Sequence, residues 1–250
     1  MKVIYEPNGR AREYSPLALN VYNSCDFGCT YCYAKRFNRG VVEPRKDIIA
    51  NLRKQLEEET ITKQVLLSFL SDPYCLEEQE YKIMPQILEI LLEFNIPIAI
   101  LTKGVTVLRD FNLLKQFKRC QLGATLTYFE FYNKKHDFEP YAPSTCYRID
   151  MLHRTYNQGI KTFVSFEPVI SPLETFRLME VAKDYAHHYR IGKWNHDKRA
   201  NEIDWLQFGT DAVEYCRSIN KPVYIKNDLA EAMPGFQFRA EERNPELYEI

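Results

Sequence analysis

The chain is expected to fold as an α/β protein with a parallel sheet covered by helices. Short apolar runs of strand length alternate with apolar stripes of helical period, and the connections between them are short. Strand followed by helix, repeated about six times, is typical of parallel sheets. A length of 250 residues is sufficient to bury one sizeable core. This periodicity fits an open doubly wound sheet and a barrel equally well.

The strand predictions rest on short runs of aliphatic and β-branched residues that polar residues interrupt. In chain order the predicted strands are Leu17–Tyr22, Val65–Leu70, Pro97–Leu101, Cys120–Thr127, Lys161–Phe166 and His188–Ile191, with Pro222–Ile225 as a last apolar run.

Helices are predicted where apolar residues recur every three or four positions. The helical stripes run through Ile48–Leu56, Met84–Leu92, Leu108–Leu114, Met151–Tyr156, Leu178–Tyr185 and Trp205–Ile219. Pro85 is expected in the first turn of the second helix or at a bend in it. Ser144 is expected to cap the fourth helix and Gly159 to end it.

Composition indicates an ordinary globular protein, with 45% hydrophobic and 27% charged residues. A formal net charge of −1 excludes a general affinity for nucleic acid or anionic membrane. Apolar runs such as Val65–Leu70 are far too short to span a bilayer, and the N-terminus shows no signal-peptide core. Seven cysteines, an odd number, fit reduced thiols and a metal site better than a disulfide framework. We therefore expect a cytoplasmic protein with no membrane partner.

The chain is expected to form one domain over residues 1–250. Its core is expected at about residues 17–195, followed by a helix and a strand at about 203–228. Residues 235–250 are rich in charge and are expected to form a tail.

Three cysteines lie close together at Cys25, Cys29 and Cys32, directly after the first predicted strand. Their spacing is C-x3-C-x2-C, with an aromatic residue just before the last cysteine. A structural zinc site takes four ligands, and no fourth cysteine or histidine lies nearby. A cubane [4Fe–4S] cluster normally takes four thiolates, so three would leave one iron open to a ligand that is not protein. The spacing favours such a cluster, with a zinc or other metal loop as the alternative.

The run Cys25-Asp-Phe-Gly-Cys29-Thr-Tyr-Cys32 resembles the cluster motif of radical S-adenosylmethionine (SAM) enzymes. The resemblance implies that SAM binds the open iron of a [4Fe–4S] cluster. It also implies that one electron, from a donor of the flavodoxin or ferredoxin type, cleaves SAM to a 5′-deoxyadenosyl radical that abstracts hydrogen from substrate. The fold implied is a partial (β/α)6 barrel with its working residues at the C-terminal ends of the strands.

A closer resemblance follows from three further segments. The turn Ser71-Asp72-Pro73-Tyr74, the pair Thr102-Lys103 and the loop Glu139-Pro140-Tyr141-Ala142-Pro143 are similar to the spore photoproduct lyase-like branch of radical SAM proteins. The likeness extends over most of residues 17–180. The chain departs from the repair lyase in lacking a clear equivalent of its extra N-terminal region and in showing no obvious basic DNA-binding face. The resemblance therefore implies the cofactor chemistry and leaves the substrate open.

The resemblance implies a set of cofactor-binding residues. Besides the three cluster cysteines, it implies contacts to the adenine from the backbone of Tyr31 and from Ile191. Ser71 and Asp72 would bind the methionine amino group, and Lys103 would bind the SAM carboxylate. Thr125 and Thr127 would bind the ribose or the carboxylate, and Glu167 would bind the ribose or the substrate. The Gly-Gly-Glu form of the amino-group motif is absent. Structural alternatives are a snorkelling Lys103 and a Glu167 that caps a helix or pairs with an arginine.

Two residues are candidates for catalytic roles outside the cofactor set. Cys75 follows the Ser-Asp-Pro-Tyr turn, where a thiol is able to donate a hydrogen atom to a product radical. The alternative is an incidental loop cysteine. Lys226 ends the last apolar run and either faces the site or is simply solvated.

Two segments combine aromatic and cationic residues, as nucleic-acid sites do. One holds Tyr128, Phe129, Phe131, Tyr132, Lys134, Lys135 and His136, and the other, Lys193–Arg199, holds Trp194, His196, Lys198 and Arg199. The alternative is an aromatic lid that shields a radical from solvent.

Three functional hypotheses follow. The first is a radical SAM enzyme acting on an unidentified substrate, possible classes being a nucleobase, a small metabolite or a peptide. The second is a DNA-lesion lyase that returns a hydrogen atom to its substrate. The third is a non-catalytic Fe–S or zinc-binding module.

Overall fold

The fold was analysed in a computed structural model that describes residues 2–36, 40–129 and 138–250. These residues form one eight-stranded sheet in which spatial order follows chain order. The strands are β1 (Ile4–Tyr5), β2 (Leu17–Leu19), β3 (Val65–Leu67), β4 (Ile98–Thr102), β5 (Cys120–Thr125), β6 (Lys161–Phe166), β7 (His188–Ile191) and β8 (Val223–Ile225).

Helices connect the strands and cover the outer face of the sheet. The α-helices of the described residues are α1 (Ile48–Glu58), α2 (Glu78–Tyr81), α3 (Ile83–Glu93), α4 (Phe111–Leu114), α5 (Thr145–Asn157), α6 (Pro172–Ala182), α7 (Trp205–Ser218), α8 (Asn227–Glu231) and α9 (Ala240–Arg243). The 3-10 helices are Gly9–Glu13, Tyr33–Arg36, Val105–Asp110, Lys198–Glu202 and Pro245–Tyr248. Pro85 lies in the first turn of α3 as predicted, and Ser144 occupies the N-cap of α5 without a side-chain capping bond.

The sheet is parallel from β2 to β8, and only β1 runs antiparallel to its neighbour. The predicted α/β class and partial barrel are confirmed. The last apolar run, expected beyond the barrel core, pairs in parallel with β7 and so adds a seventh parallel strand as β8. Because parallel strands place their C-terminal ends at one edge, loops from all seven converge there.

Strands β2 and β3 end earlier than the apolar runs predict. The side chain of Asn20 accepts hydrogen bonds from the backbone N–H groups of Phe69 and Leu70, at 2.9 and 2.8 Å. Just beyond Leu19 an amide side chain therefore takes the place of the backbone hydrogen bonds between β2 and β3. The two chain segments then separate, one into the cysteine loop and the other into the Ser-Asp-Pro-Tyr turn.

The core has two apolar layers. The larger one lies between the sheet and the helices, and a smaller cluster inside the barrel contains Tyr14, Leu66, Ala99 and Phe163. Gly123 makes room for this inner cluster, because a Cβ there would lie 2.3 Å from the ring of Phe163. The interior is therefore packed with side chains and leaves space only at the C-terminal ends of the strands.

The C-terminal segment packs against the opposite ends of the strands. Tyr248 is buried, and its hydroxyl donates to the carbonyl of Val223 at 2.7 Å. Gln121, at the start of β5, donates to the carbonyl of Tyr248 at 3.0 Å. The segment expected to be a tail thus contributes α9 and a buried aromatic residue to the barrel.

Among the described residues, none of the helices has the length and apolar character needed to cross a membrane.

Candidate active site

A cavity of about 410 Å³ opens where the C-terminal ends of the strands meet. The residues that line it and figure in the sequence predictions are Cys25, Cys29, Tyr31, Cys32, Ser71, Asp72, Lys103, Thr125, Glu167, Lys193, Trp194, His196 and Lys226. The structure therefore brings together, around one space, residues that are up to two hundred positions apart in sequence.

The cysteine loop forms one wall of this cavity. All three thiols are free; Cys29 is buried, and Cys25 and Cys32 are half-buried. The backbone N–H of Cys32 donates to the carbonyl of Cys29 at 3.2 Å. Asp26 fixes the loop to the segment just before α2, because its carboxylate accepts from the backbone of Leu76 and Glu77 at 3.0 and 3.1 Å. A side chain that satisfies two backbone donors is a strong local anchor.

The segment after residue 137 holds the cysteine loop from its other side. Thr30 donates its backbone N–H to the carbonyl of Phe138 at 2.8 Å, and Tyr141 donates to the carbonyl of Phe27 at 3.3 Å. Gly28 adopts a φ of +65°, and a Cβ on it would lie 3.0 Å from the Tyr141 ring. The loop therefore requires glycine both for its backbone conformation and for its contact.

Glu139 is a buried carboxylate beneath the loop. It accepts hydrogen bonds from the hydroxyl of Tyr31, from Thr127 at 3.2 Å and from Arg148 at 2.5 Å. Burial alone would raise the pKa of Glu139, but the positive charges of Arg148 and Lys103 hold it below the ordinary value. Arg148 also donates to the carbonyl of Thr125 at 3.1 Å. An ionised pair thus ties the cysteine loop to the end of β5.

Lys103 places an ammonium group on the cavity wall. It lies 5.5 Å from the centre of the Tyr31 ring and forms no ion pair with any described residue. Burial opposes its charge, yet the neighbouring Cys29 and Glu139 raise its pKa overall. A cation in this position calls for an anionic partner in the cavity.

The carboxylate of Asp72 makes more hydrogen bonds within the protein than the sequence predicts. One carboxylate oxygen accepts from Thr102 at 2.5 Å and from the backbone of Tyr74 at 2.9 Å, and the other accepts from the backbone of Lys103 at 2.8 Å. Burial raises its pKa despite these bonds. Asp72 therefore links the ends of β3 and β4, and Ser71 beside it donates to the carbonyl of Tyr22 at 3.2 Å.

A second charged group lies across the cavity from Lys103. The ammonium of Lys226 contacts a Glu167 oxygen at 2.6 Å and a Glu13 oxygen at 3.7 Å. The hydroxyl of Tyr14 donates to the same Glu167 oxygen at 2.9 Å and lies 2.6 Å from the hydroxyl of Ser165. The other oxygen of Glu167 makes no hydrogen bond with the described residues, so it remains available to a ligand.

Three predicted residues lie outside the cavity. Ile191 is fully buried in the layer between sheet and helices, because its side chain points outward from β7. Thr127 is buried and bonds Glu139 from behind the wall. Cys75 has no exposed surface and belongs to the outer core, so the structure does not bring its thiol to the cavity.

The loop after β7 forms the outer wall. Trp194 is buried and packs edge-on against Phe138 at 5.8 Å, and its indole N–H is buried without an acceptor among the described residues. Arg10 reaches this loop, donating to Asn195 at 3.3 Å and pairing with Asp228 at 3.3 Å. Of the other aromatic and cationic segment, Phe131, Tyr132, Lys134, Lys135 and His136 lie outside the described residues.

The donor set fits an iron–sulfur cluster better than a single metal ion. Within the described residues, no three histidine, cysteine, aspartate or glutamate side chains are arranged to hold one ion. Three free thiols nevertheless line one wall of one cavity, as a larger cluster with three protein ligands requires. An unpaired lysine lies on the same wall for an anionic group.

Three free thiols directly after the first parallel strand of a partial barrel suit a [4Fe–4S] cluster with one iron left open to a ligand that is not protein. The model of the Radical SAM superfamily matches residues 19–185, and the chain belongs to this superfamily. It is therefore an enzyme whose cofactors are a [4Fe–4S] cluster and SAM.

Similar sequences extend the comparison. The uncharacterized protein MJ0683 of Methanocaldococcus jannaschii is 35% identical over 159 residues, which cover 62% of this chain and 61% of that protein. The uncharacterized protein ORF301 of Acidianus two-tailed virus is 27% identical over 190 residues, 68% of this chain and 62% of that protein. The chain thus covers less than two thirds of these relatives.

Solved structures share the fold at low identity. Streptococcus suis SuiB bound to S-adenosylmethionine matches with a TM-score of 0.64 and 15% identity, over 89% of this chain and 53% of SuiB. A spore photoproduct lyase variant matches with a TM-score of 0.66 and 12% identity, over 88% of this chain and 78% of the lyase. Both comparisons show the partial barrel alone.

The sequence analysis did not select the residues that bond to the predicted site residues and fix their positions. Tyr14 and Glu13 precede the first parallel strand, and Arg148 lies inside a helix. A rule that inspects the ends of strands does not select such positions. The only signal was Glu139, which contributed to the family resemblance and was not assigned a role.

Proposed function

We propose that this chain is a hydrogen-abstracting radical SAM enzyme whose cluster is held by Cys25, Cys29 and Cys32. The observation that carries the proposal is the convergence of three free thiols and the unpaired Lys103 on one wall of a cavity. When bound, the reduced cluster and SAM supply a 5′-deoxyadenosyl radical. The chain's own residues bind and orient the cofactor and the substrate and shield the radical from solvent.

The polar residues of the cavity suggest where SAM is held. Lys103 would pair with its carboxylate, since this ammonium forms no ion pair with any residue that the structure describes and contacts only the ring of Tyr31 among the aromatic residues described. Ser71 and Thr125 present hydroxyls to the same space, and Tyr31 follows Cys29 along the loop. Asp72, already bonded to three protein donors, would contribute mainly by holding Lys103 in place.

Glu167 would bind a hydroxyl or amine of ribose or substrate through its free oxygen. Lys226 and Tyr14 hold its other oxygen, so the carboxylate presents one fixed acceptor to the ligand. Lys226 is 1% exposed and is engaged by two carboxylates, which makes it a positioning residue for Glu167 rather than a free base.

Other residues of the cavity lining support a second candidate function. Arg10, Arg36 and Lys193 bring positive charge to the lining, and Tyr33, Phe69 and Trp194 bring aromatic surface. Aromatic and cationic groups together suit a nucleobase with its phosphate. A lyase acting on a nucleic-acid lesion, like the spore photoproduct lyase that shares the fold, is therefore the alternative.

The experiment that tests the first proposal is reductive SAM cleavage. The protein would be reconstituted anaerobically with iron and sulfide, reduced with dithionite and assayed for 5′-deoxyadenosine. Cys25→Ala, Cys29→Ala and Cys32→Ala should each abolish both cluster absorbance and product. Cys146→Ala is the matched control, because Cys146 is exposed on α5 and far from the loop in sequence.

Full product formation in any of the three loop variants would exclude the proposed ligand set. Cluster assembly with bound SAM and no cleavage, in the presence of candidate nucleic-acid and small-molecule substrates, would exclude the proposed reaction. Catalytic rather than stoichiometric use of SAM with damaged DNA would favour the lyase.

A further inference from the structure

A cavity of about 360 Å³ lies at the end of the strands opposite the cysteine loop, and we call it the second cavity. Cys120 and Lys161, the first residues of β5 and β6, both line it. Among the described residues, its lining has no member in common with that of the candidate active site. Its volume is within the range of pockets that hold small ligands.

In the described part of the chain, the side chains that line the second cavity carry positive charge and no negative charge. Lys115, Lys118 and Arg119 are exposed, and Lys161 is half-buried. These four cations form neither ion pairs nor side-chain hydrogen bonds with the residues that the structure describes. Like charges around one space repel one another, and an anion bound among them would relieve that repulsion.

The last two residues of the sequence bring negative charge to the same end of the barrel. Ile250 lines the second cavity, but its terminal carboxylate forms no ion pair with a described cation. Burial raises the pKa of Glu249, and the cations that oppose this rise, among them Arg190 and Lys63, lie outside the lining. Neither residue therefore serves as a counter-charge for the four cations.

Lys161 is the least accessible of the four cations and the most in need of a partner. Burial lowers the pKa of its ammonium group, and the buried Arg190 behind it lowers this pKa further. A half-buried cation with a second cation behind it is stabilised when an anion binds in front of it.

The floor of the second cavity is apolar. Leu114, Phe117 and Ile160 are buried and form part of the lining. At the rim, Gly159 has no heavy atom within 4 Å of the position that a Cβ would take, so the entrance is open on this side. An apolar floor with a cationic rim suits a ligand that has a flat apolar body and several negative charges.

We propose that the second cavity binds a nucleoside di- or triphosphate, with the phosphates among the four cations and the base on the apolar floor. Lysine and arginine are the usual side-chain partners of phosphate, and bases stack on aromatic rings such as that of Phe117. A single carboxylate would leave most of the cations without a partner. The inference does not rest on the proposed function, because the two cavities lie at opposite ends of the strands.

A nucleotide fits the four cations better than a nucleic-acid strand does. A strand is followed by a groove of positive charge along the surface. Here the cations surround one cavity, and the floor between them is buried and apolar.

The test is a calorimetric titration of the reconstituted holoenzyme, with its cluster oxidised and SAM in excess. The excess SAM keeps ADP and ATP, which also contain adenosine, out of the active-site cavity. Both nucleotides, without added divalent metal, should bind at one site per chain, and pyrophosphate and adenosine should each bind at least tenfold more weakly than ADP. Lys118→Gln/Lys161→Gln should raise the Kd for ADP at least tenfold and leave the circular dichroism spectrum unchanged.

Two further variants keep the outcome interpretable. Lys46→Gln/Lys54→Gln is the matched control, because both lysines are exposed and neither lines the second cavity, and its Kd should stay within twofold of wild type. Lys115→Gln/Lys118→Gln changes two exposed lysines only, so it should fold normally and still weaken ADP binding at least threefold.

The proposal would be overturned by absence of ADP and ATP binding at millimolar concentration, by equal Kd values in the cavity variants and the control, or by ADP binding that excess SAM abolishes. Pyrophosphate bound as tightly as ADP would assign the second cavity to inorganic phosphates instead. Binding of an oligonucleotide, lost in Lys118→Gln/Lys161→Gln, without binding of ADP would assign it to a nucleic acid. None of these measurements requires SAM cleavage, so a failure of the proposed function would be seen separately.

Discussion

At the scale of single residues, buried charged groups behind the cavity wall hold the groups that face it. Glu139 connects Tyr31 of the cysteine loop with Arg148 of α5, and both members of the ion pair are 1% exposed. Lys226 does the same for Glu167 on the opposite wall. A buried ion pair stabilises little relative to apolar residues, but the loss of one partner leaves the other charge uncompensated. The two pairs are therefore sensitive points of the site.

We expect Glu139→Gln to destabilise the protein and to loosen the cysteine loop. Removing one partner of a buried ion pair typically costs about 3–5 kcal/mol of unfolding free energy. Urea unfolding followed by circular dichroism would measure the loss. Glu180→Gln, which breaks an exposed pair with Lys183, is the control and should leave the urea midpoint close to that of wild type. A similar small cost for both variants would contradict the importance of the buried pair.

The carboxylate of Glu139 should also make the unfolding free energy depend on pH. Because the pKa of Glu139 is held below its ordinary value in the fold, its ionised form stabilises the protein above the unfolded pKa, and this stabilisation is lost as pH falls toward the folded pKa. Below pH about 4, where a glutamate of the unfolded chain takes up its proton, wild type should therefore lose unfolding free energy more steeply than Glu139→Gln. Parallel losses in the two proteins would show that this carboxylate is not the group involved.

At the scale of elements, the cysteine loop takes its shape from contacts with two distant segments. Asp26 joins it to the turn after β3, and backbone bonds from Thr30 and Tyr141 join it to the segment after residue 137. Gly28 lies where these contacts meet, in a left-handed conformation against the Tyr141 ring. The spacing of the cysteines determines which residues can bind a cluster, and these contacts determine where the thiols face.

Gly28→Ala should reduce the cluster content of the reconstituted protein. The left-handed backbone costs a residue with a Cβ roughly 1–2 kcal/mol, and the new methyl group would also press on Tyr141. Iron and sulfide analysis and cluster absorbance would measure the change. Gly159→Ala carries the same backbone strain with no atom within 4 Å of the added Cβ, so it should lose comparable conformational stability and retain its cluster. Equal cluster content in the two variants would contradict the contact argument.

At the scale of the whole molecule, the barrel interior combines its apolar cluster with buried polar side chains. The C-terminal segment covers it at the end opposite the cavity. Arg190 is buried among the rings of Tyr14, Phe163, Tyr224 and Tyr248, each within 6 Å of its guanidinium. His188 stacks on Phe163 at 5.2 Å, and its Nε2 is buried without a hydrogen-bond partner in the described part of the chain. Such an interior depends on exclusion of water, and Tyr248 completes that exclusion.

His188 should make the protein less stable in mild acid. Burial, reinforced by the nearby Arg190 and Lys161, lowers its pKa well below the ordinary value. In mild acid the histidine is therefore protonated in the unfolded chain but stays neutral in the folded protein. The unfolding free energy then falls by up to about 1.4 kcal/mol for each pH unit below about 6.5. His188→Phe keeps the stacked ring without a titrating group, so its unfolding free energy should fall less between pH 7.5 and 5.5. An identical fall in both proteins would contradict this assignment.

Tyr248→Ala should destabilise the whole barrel. The substitution removes a buried ring and its hydroxyl, whose single proton is shared between the carbonyls of Val223 and Glu241. Replacement of a buried aromatic residue by alanine typically costs about 3–5 kcal/mol. The neighbouring Leu247 is 60% exposed, and Leu247→Ala should lie within about 0.5 kcal/mol of wild type in thermal or urea unfolding. Indistinguishable variants would mean that the segment is dispensable for the fold.

The sequence predicted the parallel α/β class, the positions of the strands along the chain and the three cysteines that line the cavity, whereas the choice of a barrel came from the family resemblance. These features depend on short-range information: strand and helix periods read over a few residues, and three thiols within eight positions. Lys103, Thr125, Glu167 and Lys226 were found because residues at strand ends converge in any parallel barrel. The same rule selected Ile191, which points outward, because it does not say which face of a strand a side chain takes.

By itself, the sequence indicated the class of enzyme, because its C-x3-C-x2-C motif resembles that of radical SAM enzymes, and the family model confirms the class. The same motif predicted the three candidate cluster ligands. Only the tertiary structure decided that Cys75 is buried away from the cavity, and that Tyr14 and Lys226 together hold Glu167. These outcomes depend on the N-terminal segment meeting β6 and β8 around an open sheet, with 153 positions between Tyr14 and Glu167. Periodicity carries no information over such separations, because it is the curvature of the sheet that determines which of its ends meet.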